Sequence, residues 1–171
     1  MIEGKPPEVI RVFRDTLHGE AHTEASEGEE RGNRDIQILR VAITNGQGQE
    51  QEVFRAGDAI VISIDLETPE PVDDPMVGIG VYDENDGLVL GTNSDTLGQS
   101  LGVLHGKTRV RFTCTDLPMQ DGRYRVTIGV TSRDHRTVYH WQERWYQFAC
   151  ERTGLADGRL VIPVNLEVET L

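Results

Sequence analysis

The residues of this 171-residue chain best suited to chemistry lie in one short stretch. Tyr139, His140, Trp141, Trp145, Tyr146 and Phe148 cluster there, in a chain that is only 6% aromatic, and both tryptophans are among them. A flat apolar ring beside amides and guanidinium groups suits a pyranose. The sugar face stacks on the ring while polar side chains bond its hydroxyls. In an extended strand, side chains alternate between faces. If Phe148 and Cys150 face a core, Tyr146 joins them, and Trp145 and Gln147 turn outward. Trp141, Trp145 and Gln147 are therefore the leading carbohydrate-binding candidates. Tyr82, Asn93 and Arg125 are further candidates from other segments. The competing reading is packing, in which the same rings cap a sandwich or meet a second subunit.

Other motifs lack the spacing that their chemistry needs. Gly102-Val103-Leu104-His105-Gly106-Lys107-Thr108 is one residue short of a phosphate loop. Its continuation reads as a strand, where such a loop requires a helix N-terminus. Asp83-Glu84-Asn85-Asp86-Gly87 begins like a calcium loop but lacks the later bidentate glutamate, and it reads as a polar hairpin turn. His135 and His140 have no cysteine or third histidine nearby, so no metal site is expected. Ser63, Ser94, Ser100 and Ser132 stand in no nucleophile elbow, and no cofactor is implied. Cys114 and Cys150, the only cysteines, both fall on apolar faces of expected strands and read as buried, reduced thiols.

Three segments position these residues. Residues 8–18 place Val9, Ile10, Val12, Phe13 and Leu17 near one face at helical spacing, with Pro6 and Pro7 before them and Gly19 after. The helix is short enough to need a surface to lie on. Residues 1–19 are thus expected to be a short helix, and 20–34, rich in glutamate, serine and glycine, a solvated acidic linker with no binding role. From 35 to 171 the period is two. Ile60, Ile62, Ile64 and Leu66 alternate with Val61, Ser63 and Asp65. Val110, Phe112 and Cys114 alternate with Arg109, Arg111 and Thr113. Tyr124, Val126, Ile128 and Val130 form a third apolar row, and Leu160, Ile162, Val164, Leu166 and Val168 a fourth. Shorter strands are expected over 36–44, 76–83, 88–93, 137–141 and 145–151. Turns are expected at Asn45-Gly46, Ala56-Gly57-Asp58, Asp86-Gly87 and Asp121-Gly122. The fold class is all-β: an antiparallel jelly-roll β-sandwich behind a short N-terminal helix and linker.

The net charge of −12 repels phosphate backbones and anionic lipid, which argues against nucleic acid and direct membrane insertion. No apolar run approaches the span of a bilayer. The N-terminal residues lack the apolar core of a secretion signal.

Several elements, in order, resemble one family. They are Ile38-Leu39-Arg40-Val41 with Asn45-Gly46, and Phe54-Arg55-Ala56-Gly57-Asp58 before the Ile60 strand. Next come the run from Asp74-Pro75-Met76 through Tyr82-Asp83 to Gly91-Thr92-Asn93-Ser94, and Leu117-Pro118-Met119-Gln120-Asp121-Gly122-Arg123-Tyr124, with Phe148 near the end. This order is similar to that of the C-terminal carbohydrate-binding domain of Wzt-type subunits, the ATP-binding component of O-antigen polysaccharide ABC transporters. Gly4-Lys5-Pro6-Pro7-Glu8-Val9-Ile10 resembles the tail of such a transporter's ATPase domain. The resemblance implies a fragment without its ATPase: a non-catalytic module that recognises polysaccharide on the cytoplasmic side, peripheral to the inner membrane through the transporter complex. It also implies three protein partners, namely the ATPase domain of the same polypeptide, the transporter's membrane subunit, and a second copy in a homodimer. In the family the final strand can be exchanged between subunits, and 160–168 behind the glycine-bearing 153–158 loop is compatible with that. Members often close on an aromatic residue, where this chain has Val164, Leu166 and Val168. No binding residue transfers by motif. An assembly module that touches no glycan, and a glycan-modifying jelly-roll enzyme, are the alternatives. A groove lined by polar and aromatic groups would favour sugar binding, and an aliphatic one assembly.

Overall fold

A computed structural model describes residues 28–169. The expected helix over 8–18 lies outside them. The described elements are β1 (Glu30–Arg31), β2 (Gln37–Asn45), β3 (Val53–Phe54), β4 (Ile60–Asp73), β5 (Met76–Tyr82), β6 (Leu88–Asn93), β7 (Val103–Cys114), β8 (Gly122–Thr131) and β9 (Val138–Cys150). They form two sheets. A six-stranded sheet runs β1-β9-β8-β5-β6, with β3 on the outer end of β9, and a three-stranded sheet runs β2-β4-β7. Pairing is antiparallel throughout, apart from the short parallel contact of β3 with β9. The expected all-β sandwich is what the chain forms, with sheets of unequal size.

Period-two alternation builds the core between the sheets. The three-stranded sheet contributes Ile60, Ile62, Ile64, Leu66 and Phe112, all buried. The larger sheet answers with Val77, Ile79, Val81, Tyr124, Val126, Ile128, Val130 and Phe148. Phe148 stacks on Tyr124 at 5.4 Å and meets Phe54 edge-on at 5.9 Å, which closes one end of the core. The expected turns hold. Asp83 Oδ1 accepts the backbone N–H groups of Asn85 and Gly87, so the calcium-like motif is a turn satisfied by its own side chain. The phosphate-loop-like stretch lies almost wholly inside β7. Cys114 and Cys150 are not bonded to each other. Cys150 is buried, whereas Cys114 is only half-buried.

Three expectations change. The strands expected at 137–141 and 145–151 are one strand, β9. Its register against β8 slips between Val126, opposite Tyr146, and Ile128, opposite Gln142. The slip is a bulge around Arg144, which has φ of 47° and an N–H bonded to Thr127 Oγ1. Bulges are set by pairing partners, so hydropathy alone shows only a gap. The described end of the expected acidic linker is also structured. β1 pairs with β9, Asn33 and Arg34 donate to the Val138 and Tyr139 carbonyls, and Glu30 accepts from Arg34 and Gln142. Finally, 160–168 forms no strand. Leu160 bridges to Met119 and Val161 donates to the Pro118 carbonyl, but Ile162, Val164, Leu166 and Val168 are 63% to 89% exposed. The alternation expected there has no partner strand among the described residues.

Candidate functional site

Cross-strand register brings the six sequence candidates onto one sheet. Trp141 lies opposite Gly129, Gly129 opposite Gly78, and Gly78 opposite Asn93. Further along, Gln147 lies opposite Arg125, and Arg125 opposite Tyr82. Trp145 belongs to the same face by alternation with Phe148. Few of them are available to a ligand. Trp141 is 3% exposed. It lies flat on Gly129, where a Cβ would overlap its ring, donates Nε1–H to Glu143 at 2.6 Å, and carries the Arg31 guanidinium at 5.4 Å. Tyr82 is buried against Gly80, with Arg144 at 4.9 Å from its ring centre. Burial pushes its phenol up to about 12. Asn93 is buried, and its Oδ1 accepts the Thr96 N–H. Arg125 pairs with Asp86. Glycines on the sheet let the rings of Trp141 and Tyr82 lie down against the backbone, and Trp141, Tyr82 and Asn93 are all buried. Trp145, 46% exposed, and Gln147 remain on the surface.

The opposite sheet carries a recessed polar site. Its outward residues form three cross-strand rows: Arg40–Asp65–Arg109, Ala42–Ser63–Arg111 and Thr44–Val61–Thr113. Small side chains in β2 and β4 make the floor low, and the 45–50 hairpin and the β7 arginines stand around it. The result is a groove of about 510 Å³ with no aromatic residue in its lining. Charges are ordered within it. Arg109 grips both oxygens of Asp65, and Arg40 pairs with Glu50. The Arg109 bond, aided by the charges of Arg109, Arg40 and Arg111, holds the Asp65 carboxyl below the usual carboxylate range. Asp65 is therefore an ionised anchor at neutral pH and has no proton to give.

A second recess opens between the sheets along β6 and β7. Ile60, Ile79, Val89, Leu90, Leu97, Phe112, Met119 and Leu160 line this cleft of about 560 Å³, which is mostly apolar. The structure thus has both linings, a polar groove on one sheet and an aliphatic cleft at the sandwich edge.

A third cluster joins the N-terminal described residues to the sandwich. The Ile38 N–H donates to His140 Nδ1 at 2.7 Å, which leaves the ring proton to Nε2, and Nε2 faces both Glu30 Oε1 at 2.6 Å and the Arg34 guanidinium. Bonds from Arg34, Gln142 and His140 lower the Glu30 carboxyl to about 2. Burial, against the pull of Glu30, lowers His140 below its ordinary value. Among the described residues no group of three or more potential ligands could hold a metal ion.

Comparison with known proteins now bears on this geometry. The family model described as "Wzt C-terminal domain" matches residues 27–158. The chain belongs to the Wzt C-terminal domain family. A crystal structure of the C-terminal domain of wzt superposes with a TM-score of 0.76, covering 84% of this chain and 90% of that one at 12% identity. At that identity the match shows the fold alone. The β-glucuronidase of Parabacteroides merdae (TM-score 0.43, 12% identity, 68% of this chain, 13% of that one) and the CARDB domain of the Pyrococcus furiosus PF1109 protein (0.40, 14%, 71% and 98%) resemble it weakly and carry no argument. No curated protein matches the sequence. For this Wzt-family domain, the family match places the described residues in the setting of an ABC transporter subunit. No described helix is long and apolar enough to cross a membrane.

Sequence reasoning missed the groove. The signal was present in the outward positions of two strands, Ser63 and Asp65 in one, Arg109, Arg111 and Thr113 in the other. What sequence lacked was the register that stacks them into rows beside Arg40 and Ala42.

Proposed function

We propose that this chain is the glycan-recognition domain of a polysaccharide-exporting ABC transporter's ATP-binding subunit, acting on the cytoplasmic side, with its binding site in the groove of the three-stranded sheet. The observation that carries this is the set of three rows. Hydroxyls, guanidinium groups and an ionised carboxylate converge on a floor of small residues, which suits sugar hydroxyls better than an apolar ligand. Binding rather than catalysis is favoured because the groove's carboxylates, Asp65 and Glu50, are both tied to arginines. The polysaccharide of the source organism, titrated into the chain and followed by amide NMR, is expected to shift β2, β4 and β7 resonances with a dissociation constant of roughly micromolar to millimolar. Ala42→Trp, which fills the floor, is expected to abolish those shifts while the spectrum stays dispersed. Undiminished binding by a folded Ala42→Trp protein would refute the site.

Two observations extend this reading. Trp145 and Gln147 are exposed on β9, and a glycan long enough to reach the other sheet would stack there. The apolar edge cleft and the exposed alternation of Ile162, Val164, Leu166 and Val168 complement each other. The 160–168 segment of each subunit is proposed to add as a strand to a second copy at that cleft, giving a homodimer that brings two ATPase domains together beside the membrane subunit.

A further inference from the structure

From the charge pattern of the groove, and resting on the reading of it as the glycan site, we infer that it selects acidic glycans, with Arg111 as the residue that takes the sugar carboxylate. Each other ion in the groove has a partner. Arg109 is engaged by both oxygens of Asp65, and Arg40 by Glu50. Arg111 lies one row along, opposite Ser63, exposed, and with no ion pair among the described residues. The lining therefore holds one more cation than anion, on a chain whose net charge is −12. That local reversal is the unusual feature. A surplus guanidinium beside the Ser63 and Thr113 hydroxyls matches a ring that carries hydroxyls and one carboxylate. The fork can take both carboxylate oxygens while the hydroxyls bond the ring.

The acidic surface elsewhere does not oppose this at contact range. At about 0.1 M salt, charges more than roughly 10 Å away are largely screened, whereas a contact pair is not. The net charge of −12 does oppose long polyanions. The expected ligand is a glycan with acidic residues spaced among neutral ones, or a short acidic stretch. A nucleic acid does not fit.

The test uses the 171-residue chain and two probes that differ only in charge, a short oligogalacturonate and its full methyl ester. Amide NMR locates each, and calorimetry or shift titration ranks them. The acid is expected to bind about tenfold tighter than the ester, the scale of one charge-assisted hydrogen bond, with shifts centred on β4 and β7. Arg111→Gln is expected to remove that preference, so that acid and ester bind alike, and Arg111→Lys to restore part of it. Equal binding of acid and ester in the groove would overturn the acidic selectivity and leave the glycan site standing. Shifts from neither probe in β2, β4 or β7 would overturn both. Inorganic phosphate bound as tightly as the oligogalacturonate would also overturn the inference, by reducing Arg111 to a simple anion site.

Discussion

His140 shows how one residue can hold two parts of the chain. Its Nδ1 accepts from the backbone of β2, and its Nε2 faces Glu30 of β1 and the Arg34 guanidinium, so an accepting Nδ1 and a neighbouring cation both favour the neutral ring. Burial, the larger cause, holds its pKa below the ordinary value near 6.5. The sign follows directly. The folded state takes up a proton less readily than the unfolded one, so this contribution to stability is complete above the unfolded pKa and is lost as pH falls below about 6.5. His135, also lowered by burial, acts in the same direction. Glu30, held at about 2, adds a loss only in the acid range below the ordinary glutamate value. Urea unfolding at pH 7.5 and pH 5 should show lower stability at pH 5, and His140→Gln should reduce that difference. A slope unchanged by His140→Gln would show that the ring is not the titrating group. The two tryptophans make a second contrast. Trp141→Ala should cost about 3–5 kcal/mol, because it empties a packed site. Trp145→Ala should change stability by no more than about 0.5 kcal/mol, as is usual for an exposed position. Thermal and chemical unfolding of both variants decides this, and a large loss for Trp145→Ala would make it a packing residue too.

Among the elements, the final segment is the most revealing. Its contacts with its own sandwich end early. Arg159 and Val161 are bonded to Gln120 and Pro118, and the Gln120 side chain ties the Ala156 and Gly158 carbonyls. Removing 162–171 should therefore leave the sandwich folded, with a melting temperature close to that of the whole chain, while abolishing any association that uses the segment. A truncated chain that unfolds would show that these residues stabilise their own subunit. The same element marks the limit of sequence reading. Rows such as Ile60–Ile62–Ile64–Leu66 and Tyr124–Val126–Ile128–Val130 could be placed because their alternation is satisfied inside the chain. Alternation over 160–168 looks identical, yet it meets no strand among the described residues, and hydropathy carries no information about which chain would supply a partner. The β9 bulge and the β1 pairing escaped for a related reason. Both depend on hydrogen bonds from neighbouring strands, and polar residues such as Glu30 and Arg34 read as linker until their partners are known. The candidate site was legible only as residue types. The aromatic cluster drew attention to β9, where glycines bury Trp141 and Tyr82, while arginines and hydroxyls on β4 and β7 gained meaning only once register set them in rows.

At the scale of the whole molecule, the apolar alternation and the open sandwich edge belong to one problem. An exposed sheet edge with unpaired backbone groups is an association hazard unless something covers it. Here β7 ends the three-stranded sheet, and β6 ends the larger one next to an apolar cleft. The exposed Ile162, Val164, Leu166 and Val168 have the period of a strand, and Leu160 already lines that cleft. A second copy solves both halves at once. Reciprocal addition of 160–168 would bury four apolar side chains per subunit and pair backbone groups that otherwise face water, and a two-fold arrangement closes on itself instead of propagating. Burying each such side chain is worth about 1.5–3 kcal/mol, a gain that acts against the cost of association, put at about 4–15 kcal/mol. The chain is therefore expected to sediment as a dimer at micromolar concentration. Leu166→Asp and Val164→Asp should shift it to monomer without unfolding it, since neither side chain packs on its own sandwich. Analytical ultracentrifugation of the three proteins makes the comparison. A wild-type monomer, or variants that stay dimeric, would place the subunit contact elsewhere and leave the edge cleft to another partner.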